Sequence, residues 1–113
     1  MRASQPSKRP YNIESVEVLA ETPDLRMTVF TVGAGEEIPW HWHSNVSDTY
    51  FGMAGVTVVE TRAPAARFEI APGQTAVVPP QRAHHVAGKD GDRCKFAILQ
   101  GVGMYDFNLV GKS

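Results

Sequence analysis

The chain of 113 residues has one cysteine, Cys94, so no internal disulfide can form, and a lone thiol of this kind reads as a small structural side chain. It lacks any apolar run near the roughly 18–20 residues that a membrane-spanning helix needs. Neither sign of charge is in excess: 11 Lys and Arg stand against 12 Asp and Glu, which removes the electrostatic reason to expect nucleic acid or an anionic membrane as partner. The start, "MRASQPSKRPYN", has no apolar segment of the kind a secretory signal carries, and the cytoplasm is the expected location. Repeats, low-complexity blocks and a helical apolar period are also missing. A small-molecule ligand remains as the expected partner.

What is present is a series of short apolar segments cut by turn residues. "SVEVLAE", "LRMTVFTVG", "DTYFGMAG", "VTVVETR", "RFEIAPG", "TAVVPP", "HHVAG" and "CKFAILQGVG" alternate with "TPD", "GAGEE", "RAPAA", "APGQ", "PPQR" and "GKDGD". About eight closely spaced strands predict an all-β sandwich or barrel rather than βαβ units. The polar, Pro-containing residues 1–12 are expected to form a flexible arm, and 13–113 a single domain.

Ligand-type side chains concentrate in "PWHWHSNVSDTYFGMAG", residues 39–55. Side chains alternate faces along a strand, so His41 and His43 share one face while Trp40 and Trp42 take the other. Beyond the "SNVS" turn, a strand starting at Asp48 puts Asp48 and Tyr50 on one face, opposite Thr49 and Phe51. Two imidazoles and a carboxylate suit Fe, Mn, Co, Ni or Zn and suit Mg or Ca poorly. A further ligand is offered by "PGQTAVVPPQRAHHV", where His84 opens a strand and His85 must face the opposite side.

These residues resemble the two motifs of the cupin family. Gly35, five residues, His41, one residue, His43, four residues, Asp48, six residues and Gly55 resemble the first; Gly73, five residues, Pro79 and then His84 resemble the second. The resemblance implies a double-stranded β-helix of the jelly-roll kind, with a divalent transition metal held at one end of the barrel by His41, His43 and His84. Asp48 stands where the family has glutamate. It is one methylene shorter, which withdraws the carboxylate by about 1.3–1.5 Å, so it is a direct ligand if its strand sits closer, a ligand through water, or an outer group. Gln81 replaces the second motif's glycine, and Gly88 stands where asparagine is usual.

For the remaining candidates, packing is the expected role. Trp40 and Trp42 are expected in core or dimer packing, and Thr28, Phe30 and Val32 on the core side of an early strand. Arg62 and Arg82 are expected at the surface. Met53, Phe96, Ile98, Met104 and Tyr105 are candidates for lining a small cavity. The function implied is a metal-dependent enzyme on a small chelating substrate, with dioxygenase chemistry ahead of isomerase or lyase chemistry and Asp48 or Tyr50 as acid/base; the alternative is a non-catalytic small-molecule binding or sensing module. A homodimer is expected from the outward tryptophans and the polar arm.

Overall fold

Runs such as Met27–Val32 and Phe96–Gln100 are rich in β-branched, aromatic and aliphatic residues, the composition of a pleated and largely buried surface. In the computed structural model, which describes residues 11–111, they form ten strands: β1 (Ser15–Thr22), β2 (Leu25–Val32), β3 (Ile38–Trp42), β4 (Ser47–Ala54), β5 (Thr57–Thr61), β6 (Ala66–Ile70), β7 (Thr75–Val78), β8 (His84–Gly88), β9 (Cys94–Gly101) and β10 (Asn108–Leu109). Two five-stranded sheets result, in the orders β1-β2-β9-β4-β7 and β10-β3-β8-β5-β6. Every pairing is antiparallel. This is the expected all-β double-stranded β-helix, a jelly-roll barrel.

The count of about eight strands falls short by two. β3 carries Pro39 and aromatic side chains with little β-branching, and β10 has two residues, so neither gives a strong alternating signal. Of the arm expected over residues 1–12, only Tyr11 and Asn12 lie within the described residues; Tyr11 packs against Phe107, and Ile13 joins the core.

The core between the sheets is built from inward residues of both: Phe30, Val32, Tyr50, Phe96 and Ile98 from one, Ile38, Val59, Ile70 and Val86 from the other. Phe30 stacks on Phe96 with ring centres 5.5 Å apart, and the buried Thr28 precedes it on the same face. Cys94 is buried, and burial pushes its thiol pKa up, as befits a structural side chain. The cavity candidates divide: Phe96 and Ile98 are core, whereas Met53 and Met104 are 45% and 72% exposed and line no interior. Met53 lies on the outward parity of β4 and Met104 beyond the end of β9, which explains both corrections.

Two departures from the family motifs acquire a physical meaning. Gln81 has φ +67°, a left-handed conformation where glycine is the unstrained choice, and its N–H donates to the His43 carbonyl at 2.7 Å. At Gly88 an added Cβ would stand 1.6 Å from the Asp92 carbonyl oxygen, so the adjoining turn has room for no side chain. Gly88→Ala is therefore expected to destabilise the fold by about 2 kcal/mol or more, whereas Gln81→Gly leaves stability unchanged or raises it by up to about 1 kcal/mol. Urea unfolding midpoints of the two variants check the contrast.

Candidate metal centre

One end of the barrel interior is polar although it is as dry as the core. His41, His43, Asp48, His84 and Gln100 are each no more than 4% exposed. Strand register assembles them. His41 on β3 lies directly opposite His84, the first residue of β8, and on the other sheet Asp48 on β4 lies opposite Gln100 on β9. His43, two residues past His41, shares its face, as the period of two requires. His85 turns outward as expected, where it meets Glu37 and the Trp40 ring.

Each of the three buried histidines has one ring nitrogen fixed by a main-chain carbonyl. His41 Nδ1 donates to Pro39 O at 2.7 Å, His43 Nδ1 to Asp106 O at 2.6 Å, and His84 Nδ1 to Arg82 O at 2.8 Å. A carbonyl can only accept, so the proton sits on Nδ1 in all three, and Nε2 is the nitrogen presented inward. This is the orientation that metal-binding histidines adopt when an outer hydrogen bond sets the tautomer.

Asp48 faces these nitrogens. Its Oδ2 lies 3.2 Å from His43 Nε2 and 3.1 Å from His84 Nε2, and it accepts from the Tyr50 hydroxyl at 3.3 Å. Gln100 Nε2 donates to Oδ1 at 3.0 Å. One donor atom from each of His41, His43, Asp48 and His84 lies within 4.8 Å of the others. Two ligands at about 2.1 Å from one ion stand about 3.0 Å apart at a right angle and about 3.4 Å apart at the tetrahedral angle. The Asp48–histidine separations fall between these values, so the shorter side chain is not too far withdrawn for the donor set to fit one divalent transition metal.

Electrostatics separate the members. Burial, reinforced by the neighbouring histidines, pushes His41 down to about 3, so it is neutral at ordinary pH. At His43 burial opposes the charged form, but the hydrogen bond and charge of Asp48 outweigh it and raise the pKa. Burial acts against charge on Asp48 as well, yet the hydrogen bonds of His43 and His84 hold its carboxyl well below the usual range. Tyr50 is fully buried, and desolvation pushes its hydroxyl well above its ordinary value.

A strap after β9 covers the site. Phe107 stacks on His41 with centroids 4.3 Å apart, and Tyr105 lies 5.3 Å from His43. Asp106 ties the strap down by accepting from Ser44 N and Oγ at 2.8 and 2.5 Å. Asp106, Phe107 and Gln100 were not among the sequence candidates; the aromatic residues of "MYDFN" were the one signal for the strap, and Gln100 had none. The outward residues have other partners: Trp40 lies beneath the Arg62 guanidinium at 3.8 Å, and Trp42 borders an open groove with Ser44, Gln81 and Ala83.

The model of the cupin domain family matches residues 28–100. No curated protein matches the sequence. Among solved structures, an uncharacterized conserved protein with a double-stranded β-helix domain from Klebsiella pneumoniae is 22% identical, with 99% of each chain covered and a TM-score of 0.71. An oxalate oxidase in complex with the substrate analogue glycolate is 16% identical over 96% of this chain and 60% of that one, at a TM-score of 0.74. An oxalate decarboxylase variant from Bacillus subtilis is 20% identical over 77% of this chain and 24% of that one, at 0.68. At these identities the likeness is one of fold.

The low pKa of His41 makes acid stability a direct probe of the site. In the unfolded chain His41 takes a proton as pH falls through about 6.5, while the folded chain resists until about 3, so its contribution to stability is lost as pH falls from the first value toward the second. Asp48 acts in the same direction at lower pH, and His43, raised in the fold, acts in the opposite one. For chelator-treated protein, His41→Phe is expected to flatten the loss of stability between pH 7.5 and 5 by about 2 kcal/mol relative to the parent chain, as read from urea midpoints at both pH values.

Proposed function

The chain belongs to the cupin domain family, and from that premise we propose that it is a metal-dependent enzyme acting on a small chelating organic substrate, with His41, His43, His84 and Asp48 holding the ion. The observation that carries this reading is the convergence of three inward Nε2 atoms, each with its Nδ1 proton engaged by a main-chain carbonyl, on one buried carboxylate. A divalent ion there supplies Lewis acidity with positions open to a bidentate substrate or, as iron(II), redox chemistry with dioxygen. Dioxygenase chemistry is the first reaction class proposed, with isomerase or lyase chemistry second.

The chain's own residues divide the work. His41, held neutral by burial, is ready to bind an ion without losing a proton. Asp48 raises the pKa of His43, so an ion binding there competes with protons more strongly than it does at His41. Asp48 neutralises one positive charge of the ion, or serves as acid/base where it stays outside the coordination sphere. Tyr50 reaches no open space and spends its hydroxyl on Asp48, which makes it a positioning residue for the carboxylate. Phe107 and Tyr105 exclude water from one side of the histidines.

Protein purified without chelators or a histidine tag is expected to hold close to one equivalent of transition metal by mass spectrometry, and His41→Ala to lose most of it. Less than about a tenth of an equivalent, unmoved by that substitution and not restored by Fe, Mn, Ni, Co or Zn, overturns the metal reading. Iron(II)-loaded protein is expected to take up oxygen with at least one member of a panel of diketones and catechols. No uptake with any metal moves the assignment to isomerase, lyase or a non-catalytic binding module.

The homodimer is proposed on a different face from the tryptophans. Val77, Thr49, Leu99 and Met27 form one register row on the outer side of the β1-β2-β9-β4-β7 sheet, with Phe51, Ala97 and Val29 in the next. Val29 and Ala97 are buried within the chain, the other residues of these rows are partly exposed, and Val77 at 54% is the apolar side chain offered to a partner. Light scattering is expected to give twice the chain mass at micromolar concentration; a single-chain mass there removes the dimer.

A further inference from the structure

The row of inward residues that carries Asp48 continues one strand further. Asp48 on β4 pairs in register with Gln100 on β9, and Gln100 with Arg26 on β2. All three share the parity of the buried Tyr50, Ile98 and Thr28, so Arg26 is presented toward the polar end of the barrel. Its guanidinium carbon lies 4.2 Å from the centre of the Tyr105 ring, and that ring packs against His43. One aromatic ring thus separates a fixed positive charge from a candidate ligand.

Arg26 is poorly used by the fold. Its side chain is only 20% exposed, and its Nε is buried without a hydrogen-bond partner among the described residues. The carboxylate facing it, Glu21 on β1, stands 3.7 Å from Nε, beyond hydrogen-bond reach, and is itself 57% exposed. Its register neighbour Gln100 directs its amide nitrogen at Asp48. The guanidinium lies over the Tyr105 ring and shares a hydrogen bond with its hydroxyl, which restrains the side chain, while the buried Nε–H is left for a carboxylate.

Resting on the metal centre proposed above, we propose that Arg26 is the anion-recognising residue of the site: it receives a carboxylate of the substrate that the metal does not engage. The substrate class is then narrowed to small carboxylic acids whose chelating oxygens, such as those of a diketone or hydroxyketone, lie elsewhere in the molecule. Charge agrees with this assignment. A divalent ion facing the single buried carboxylate of Asp48 leaves net positive charge, and Arg26 adds to it on the side where Tyr105 forms the wall.

The test uses cobalt(II)-loaded protein and two probes with the same diketone head: acetylacetone, and succinylacetone, which adds a carboxylate on a short tail. Binding is read from the cobalt absorption bands and by calorimetry, and cobalt content by mass spectrometry. The parent chain is expected to bind succinylacetone at least about tenfold more tightly than acetylacetone. Arg26→Gln is expected to abolish that preference and leave acetylacetone affinity unchanged, with Arg26→Lys retaining part of it. Equal affinity for the two probes in the parent chain, or a preference that survives Arg26→Gln, overturns the proposal. So does a loss of both affinities in Arg26→Gln, which would make Arg26 a brace for Tyr105. Failure of the parent chain to hold cobalt overturns the metal reading itself, and this inference with it.

Discussion

A carboxylate at 1% exposure has to be compensated on the spot, and Asp48 is the group around which the polar end of this barrel is arranged. His43, His84, Tyr50 and Gln100 all direct a polar atom at it. These partners come from both sheets, so the contact links the sheets where the apolar core stops. Without Asp48, the Tyr50 hydroxyl and the Gln100 amide would each lose an acceptor in a dry interior. Without the histidines, the carboxylate would be a buried charge, and breaking such a pair from one side costs about 3–5 kcal/mol.

Much of this was legible because a strand has a period of two. Parity alone separated His41 and His43 from Trp40 and Trp42, put Asp48 with Tyr50, and turned His85 away from His84. What parity does not give is the partner strand. That His41 meets His84, and Asp48 meets Gln100, depends on register across connections dozens of residues long. The resemblance to the cupin motifs supplied the first pairing, and nothing in the chain marked the second. Gln100 reads as an ordinary polar residue in an apolar strand until its neighbour is known.

The strap from Tyr105 to Asn108 was harder to read for a different reason. It has no regular period, and its contribution lies in main-chain and edge contacts: the Asp106 carbonyl orients His43, its carboxylate holds Ser44, and Phe107 covers His41. Met104 and Tyr105 were placed together as apolar lining, and only the second faces the interior, because adjacent residues in an extended chain diverge. The substitution of aspartate for the family's glutamate raised a question of reach that bond lengths alone left open. Register answers part of it, since β4 brings Oδ2 to within 3.2 Å of two imidazole nitrogens despite the missing methylene.

The same row shows why polar residues persist where a hydrophobic set would pack more simply. Replacing His41, His43, His84, Asp48 and Gln100 by apolar residues of similar volume would remove five desolvation penalties, and buried ionic clusters are commonly no more stable than such replacements. The fold does not need them to close, because Phe96, Ile98, Val59 and Val86 already form a continuous core beneath. Each histidine nevertheless has its outer nitrogen tied to a carbonyl, and Asp48 has both oxygens occupied. Such an arrangement restrains orientation, which is what binding an ion requires and what packing alone does not. Arg26 stands at the end of this row under weaker restraint, with a stacked ring, a distant carboxylate and an unbonded Nε. The gradient from fully bonded groups at Asp48 to an underused cation at Arg26 is the gradient expected between groups that hold an ion and a group kept for what arrives from outside.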